Sequence, residues 1–333
     1  ILLGLVKHLD EKSVRRIRII KSLNQCVNAF AEDRINAQAS RDCLKVELEK
    51  SASASDLKVS AIGHAHIDTG WLWPVRETVR KTARTFATQL KIIEEYPQYI
   101  FGASQPQHYQ FMKDSYPEIY ERVKTAVIEG NWECQGGMWV EADCNLISGE
   151  SMVRQLLHGK NFFKDEFNVE VDNLWLPDVF GYSAALPQIL KKSGVDFFLT
   201  QKLSWSQFND FPHQTFHWRG IDGTEILTHF PPENTYNSEL DTQFLLPAQS
   251  GFKEKDKLDE FISLFGVGDG GGGPKPENIE LGIRMKDLEN SPRVGFDTAK
   301  NFFHRLEKEQ DSLDTWVGEL YLELHRGTLT THG

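Results

Sequence analysis

Apolar and polar positions along the chain fall into two rhythms. Over residues 1–49, Leu5, Leu9, Val14, Ile17, Ile20, Leu23 and Val27 recur at helical steps with charges between them, which predicts helix. The stretch "SASASD" at 51–56 has little to bury and predicts a linker, hence a domain boundary. After it, short apolar runs alternate with amphipathic segments. Strands are predicted at "LKVSAIGHAH", "QYIFGAS", "WECQGGMWVE", "NLWLPD", "VDFFLTQ" and "TWVGELYLEL". Helices are predicted at "RETVRKTARTFATQLKIIEEYP", "QHYQFMKDSYPEIYERVKTAVIEG" (broken at Pro117), "SGESMVRQLLHGKNFFKDEF", "AALPQILKKSG", "KEKDKLDEFISLF", "PENIELGIRMKDLEN" and "TAKNFFHRLEKEQ". The turn "IDGT" between "FHWRG" and "EILTHF" predicts a hairpin. Strand–helix alternation at this spacing implies an α/β fold with parallel strands and crossover helices.

Composition narrows the classes. The 333 residues are 40% apolar and 26% charged, which is ordinary globular usage, and the formal net charge is −11. That charge argues against a nucleic-acid partner. The one basic stretch, "KSVRRIRIIK" at 12–21, reads as a solvated helix face. No run approaches a membrane span, so no membrane partner is expected. The four cysteines form no C-x-x-C pair and suit a reducing, cytoplasmic compartment, with a vacuole as the alternative. The start "ILLGLVKHLDEK" is too short for a signal-peptide core, and without an initiator Met the chain reads as a fragment or a processed form.

Parallel α/β sheets keep their chemistry at the carboxyl ends of strands. His64, His66 and Asp68 alternate at such an end, so they share one face, and imidazole with carboxylate is a zinc-type donor set. The alternative is strand capping. Of the three, two are expected to bind metal and one to support them. Trp71 and Trp73 follow at once; an exposed indole there is a platform for a sugar ring, and the other indole is core. Asp178 ends "NLWLPD" and is either a reactive carboxylate or a helix cap. Asp269 lies in the glycine-rich "GVGDGGGGP", which is no phosphate loop. Trp139, Glu141 and Asp143 alternate in "GGMWVEAD" and either bind sugar hydroxyls or form a solvated strand edge. His229, His325 and His332 are isolated and read as structural. Two carboxylates, a metal and aromatic walls suggest glycoside hydrolysis, for which a retaining reaction needs carboxyl groups about 5–5.5 Å apart.

"HAHIDTGWLWP", "GGMWVEAD", "LPDVFGYSAALPQIL", "LTQKLSW", "GVGDGGGGP" and "GELYLELHRGTLTTH" occur in this order. Together they resemble family 38 glycoside hydrolases, the class II α-mannosidases, and in particular the cytosolic/vacuolar branch that trims free oligomannose glycans. The likeness spans about residues 57–333. It implies a seven-stranded, parallel-rich α/β barrel at 57–325, preceded by a helical segment and linker at 1–56. A following helical-bundle domain would begin at 326–333. It also implies that His66, Asp68 and Asp178 hold Zn2+, with Co2+ as an alternative, and that His64 lies behind them. Asp178 would double as nucleophile and Asp269 would be the general acid, although other branches place that acid at the position of Gly270. Trp71 would stack on the bound mannose, Phe180 would line the pocket, and Lys202 would stand near the nucleophile and keep it ionised. The family's fourth metal ligand is a His in an F-H-D-like motif, and no such motif occurs in residues 1–333.

The implied activity is metal-dependent, retaining hydrolysis of terminal α-mannosyl residues of oligomannose glycans. The partner is then a mannose-containing oligosaccharide, and homo-oligomers stay open. Two alternatives stand beside it. One is a zinc amidohydrolase-like barrel hydrolase, disfavoured because His108 and His158, the histidines between 67 and 200, fall in predicted helices. The other is a catalytically incomplete sugar-binding fragment, suggested by the missing fourth ligand.

Overall fold

The computed structural model describes residues 1–32, 34, 37–53 and 56–329. The helices are α1 (Leu2–His8), α2 (Val14–Glu32), α3 (Gln38–Leu48), α4 (Val75–Glu95), α5 (Pro106–Ser115), α6 (Pro117–Glu129), α7 (Gly149–Phe167), α8 (Leu186–Lys192), α9 (Thr242–Gly251), α10 (Pro276–Arg284) and α11 (Ala299–Leu306). The strands are β1 (Lys58–His64), β2 (Phe101–Ala103), β3 (Trp132–Cys134), β4 (Asn173–Trp175), β5 (Phe197–Leu199), β6 (Thr215–Arg219), β7 (Glu225–His229), β8 (Glu260–Phe265), β9 (Arg293–Phe296) and β10 (Thr315–Val317). No helix among the described residues is long and apolar enough to cross a membrane.

The strands form two five-stranded sheets rather than one closed seven-stranded barrel. In the first, β1 is central. It pairs with β8 along Lys58–Gly63, while β2 and β9 take different halves of it. The second runs β10-β6-β7-β5-β4. Every ladder is parallel except the β6–β7 hairpin at "IDGT", where the turn was expected. No ladder joins β3 to β4 or β7 to β8 among the described residues. At each break a side chain spans the gap instead. Asn173 Oδ1 accepts the Gly136 N–H at 3.2 Å, and His229 Nε2 accepts the Ile262 N–H at 3.1 Å. Burial lowers the His229 pKa to about 3, so the ring is neutral. Its remaining proton then sits on Nδ1 and is donated to Thr215 Oγ1, 2.9 Å away.

Several elements differ from expectation. Residues 253–265 do not form a helix. The charged half is a turn, and Glu260–Phe265 is β8, whose Phe261, Ile262, Leu264 and Phe265 are all buried. A short apolar run buried on both faces is the mark of a parallel strand covered on both sides. The strand expected through "GGMWVE" stops at Cys134, because Gly136 and Gly137 take φ of 93° and 63°. Strand β9 and helix α9 were not expected at all.

The N-terminal region is three helices, not one. In α2 the buried positions are Arg15, Ile19 and Ser22, whereas Val14, Ile17 and Val27 are exposed. Leu2, Leu5 and Ile19 share the large core around β1 and β8. Arg15, assigned above to a solvated face, is buried; it pairs with Glu47 and lies 3.0 Å from Glu289. Of the expected linker, Ala52 donates its N–H to Asp287 and the Ser53 carbonyl accepts from Arg293, while residues 54 and 55 lie outside the described set.

Candidate active site

Strand β1 ends at His64, so His66 and Asp68 stand on the loop beyond it rather than on the strand. That loop is held from two sides. The Asp68 N–H donates to the Asp269 carbonyl at 3.1 Å, and Ile67 bridges Gly270, so the loops after neighbouring β1 and β8 are laced together. From α5 and the turn before it, Gln105 Nε2 donates to the Ile67 carbonyl at 2.9 Å, and His108 Nε2 meets Thr69 Oγ1 at 3.0 Å. The glycine run is an anchored loop: Gly272 exchanges hydrogen bonds with Thr85 and Gln89 of α4. A Cβ on Gly271 would stand 2.5 Å from Thr85 Oγ1, and its φ is 79°, so this approach needs glycine.

The second sheet brings the partners. Asp178 follows β4, and Lys202 opens a short 3-10 turn, Lys202–Trp205, after β5. His66, 4% exposed, is the meeting point. Its Nε2 lies 3.5 Å from both Asp68 Oδ1 and Asp178 Oδ2, and its Nδ1 lies 2.8 Å from Glu141 Oε2. Asp269 also comes near, since His66, Asp68 and Asp269 each place one donor atom within 4.8 Å of the others. Lys202 Nζ reaches Asp178 Oδ1 at 2.5 Å. Burial works against a charge on His66, but Glu141 first, then Asp68 and Asp178, outweigh it and hold its pKa well above the usual value.

Among the described residues, the three donors close enough together to share a divalent cation are those of His66, Asp68 and Asp269; Asp178 faces His66 Nε2 from outside that group and is held by Lys202. His66 Nε2 is buried and makes no hydrogen bond, although two carboxylate oxygens face it. Asp68, Asp178, Asp269 and Glu141 crowd one imidazole, with Lys202 as the neighbouring cation. Mixed imidazole and carboxylate donors are what zinc and its neighbours take.

Asp68, Trp71, Glu141, Asp143, Asp178, Phe180, Lys202 and Asp269 line one cavity of about 730 Å³. Trp71 is 58% exposed there, while Trp73 is pinned by its Nε1 bond to Thr78. His64 lies behind the site: its Nε2 meets the Tyr236 carbonyl at 3.0 Å, and burial lowers its pKa to about 4. Trp139 does not line the cavity. Its Nε1 donates to Gln107 and its ring packs on Phe162, because the strand that would have aligned it with Glu141 is absent. Glu141 is turned to His66, and Asp143 Oδ1 accepts the N–H groups of Asn145 and Leu146.

The cavity also holds residues the sequence did not single out. Tyr236 donates its hydroxyl to Asp269 Oδ1 at 2.7 Å; burial and the facing Asp178 and Asp269 raise its pKa, so it stays a donor. Trp205 lies under the Lys202 ammonium, and His325, read above as structural, packs on Phe180 in the same cavity. Tyr236 lies outside every motif quoted above, whereas Trp205 and His325 fall inside "LTQKLSW" and "GELYLELHRGTLTTH" without a site role having been assigned to them. His332 lies outside the described residues.

Comparison with known proteins bears on the family and the fold. Residues 56–319 match the model of the glycosyl hydrolases family 38 N-terminal domain. The chain is 45% identical to "Alpha-mannosidase G" of Dictyostelium discoideum over 98% of its own length and 30% of the relative's. It is 42% identical to "Alpha-mannosidase 2C1" of Homo sapiens over 100% and 32%. It thus spans about a third of these relatives. In fold it is similar to the crystal structure of an alpha-mannosidase from Enterococcus faecalis, with TM-score 0.64 and 21% identity over 79% of this chain and 31% of that one. The matched family model spans both sheets and every residue gathered around His66, and on that ground the chain belongs to glycosyl hydrolase family 38.

Proposed function

We propose that this chain carries the catalytic unit of a metal-dependent, retaining α-mannosidase that removes terminal α-mannosyl residues from oligomannose glycans, in the cytoplasm or a vacuole. One observation supports this above the others. His66, Asp68 and Asp178 come from loops of two different sheets, yet Nε2 of the first lies 3.5 Å from an oxygen of each of the other two.

His66, Asp68 and Asp178 would hold the cation, zinc or alternatively cobalt. When bound, it supplies Lewis-acid polarisation of sugar hydroxyls. The chain's own groups do the rest. Trp71 offers an indole face to the C–H side of the mannose ring. Asp178 attacks the anomeric carbon and forms a glycosyl ester, while Lys202, 2.5 Å away, holds the carboxylate in place through Oδ1. Asp269 protonates the departing oxygen and then takes a proton from the incoming water. Tyr236 occupies Asp269 Oδ1, which leaves Oδ2 to carry that proton.

The test is Asp178→Asn in the full-length protein. Hydrolysis of p-nitrophenyl α-mannoside should fall by at least about a thousandfold, as for a lost nucleophile. Undiminished turnover, or turnover of cyclic amides in place of mannosides, would overturn the reading. Chelation should also abolish activity, with zinc or cobalt restoring it.

A further inference from the structure

We propose that Trp205, with His325 beside it, is the platform for the second sugar ring of the glycan and so selects a saccharide leaving group. The inference rests on the glycosidase reading above.

The two oxygens of Asp178 face different neighbours. Oδ2 lies 3.5 Å from His66 Nε2, on the loop system that also carries Trp71. Oδ1 takes the Lys202 ammonium, whose Nζ sits 3.6 Å from the Trp205 ring centroid and 4.7 Å from that of Phe180. Trp205 therefore stands beyond Oδ1, Trp71 lies on the loop that carries His66, and both indoles line the same cavity. Both are open, Trp71 at 58% and Trp205 at 44%. Tryptophan is highly buried on average, so two exposed indoles in one cavity call for a ligand.

Lys202 covers one face of Trp205 and fixes the ring by a cation–π contact. The exposed remainder is then a preorganised surface. The His325 ring, 6.0 Å from Trp205 and 4.7 Å from Phe180, adds nitrogens that can pair with a hydroxyl. Volume points the same way. Bonded atoms each take well under the roughly 30 Å³ of a liquid water molecule, so the dozen or so heavy atoms of a hexose fill less than half of the cavity. A mannose against Trp71 leaves the Trp205 side for its neighbour.

The test compares α-mannobiose, whose leaving group is a sugar, with α-mannosyl fluoride, whose leaving group has no ring. In full-length Trp205→Leu, the ratio of kcat/KM for mannobiose to that for the fluoride should fall about tenfold. Leucine keeps an apolar cover for Lys202 but offers no ring face. Trp205→Phe should recover most of the ratio, and it serves as the folding control. Equal losses on both substrates would overturn the inference, because Trp205 would then act only by holding Lys202 against Asp178. A wild-type protein that hydrolyses neither substrate would instead sink the glycosidase reading itself.

Discussion

His66 is where the chemistry of single residues concentrates. Its Nδ1 lies 2.8 Å from Glu141 Oε2, and neither ring nitrogen makes a hydrogen bond of good geometry. With a cation on Nε2, the facing carboxylate would hold the remaining proton on Nδ1, the usual support for a metal-bound imidazole. Glu141 lines the cavity and also faces His66, so a role behind the ring stands beside the sugar contact its place in "GGMWVEAD" suggested. Glu141→Gln should weaken metal binding by about 10–100-fold, measured by competition with a chelating dye. Unchanged affinity would mean that Glu141 only fills space beside the ring. His66, Asp68 and Trp71 were legible because they are adjacent in sequence. Tyr236 was not, because its hydroxyl meets Asp269 from a loop more than thirty residues away.

Among elements, the seams between sheets are the informative feature. Strands β7 and β8 share no ladder, yet the neutral His229 ring ties the Ile262 N–H to Thr215. His229→Leu keeps an apolar filling but leaves both groups unpaired. It should cost about 1–3 kcal/mol in urea unfolding at neutral pH. The pH dependence has a definite sign. The folded pKa of His229, about 3, lies below the unfolded value of 6.5. Its stabilisation is therefore complete above pH 6.5 and is lost as pH falls toward 3, at about 1.4 kcal/mol per unit. The gap between wild type and variant should narrow by about 2 kcal/mol between pH 6.5 and 5. A constant gap would show that the ring is not held neutral. Strand β8 itself was misread because "KEKDKLDE" supplies helix-like charge spacing, and a short apolar run cannot be told from a buried helix by periodicity.

For the molecule as a whole, the N-terminal helices are joined to the α/β unit through both core and charge. Leu2, Leu5 and Ile19 enter the core around β1. Arg15 pairs with the buried Glu47 of α3 and lies 3.0 Å from Glu289, on the segment between α10 and β9. Removing Arg15 leaves the buried Glu47 with the half-buried Lys50, 2.8 Å away, as its remaining cation. Arg15→Ala should therefore destabilise by about 1–3 kcal/mol in denaturant unfolding, while Arg15→Met combined with Glu47→Leu should recover most of it. If the single variant is neutral, the helices are not coupled to the catalytic unit by this pair. The sequence placed Arg15 on a solvated face because charge spacing alone does not say which side of a helix meets a neighbour.

Sequence by itself determined the chemical vocabulary: H-x-H-x-D beside two indoles, an aspartate closing "NLWLPD", a lysine in "TQKL", and strand–helix alternation that demands crossover connections. These are local patterns, set by side-chain type and by periods of two and 3.6 residues. Tertiary structure alone decided that Asp178 and Lys202 of one sheet meet His66 and Asp68 of the other, that Trp205 and His325 complete the cavity, and that two side chains seal the seams. Those meetings depend on how two sheets pack and twist against each other. Packing is a property of contacts between residues far apart in the chain, and no periodicity records it.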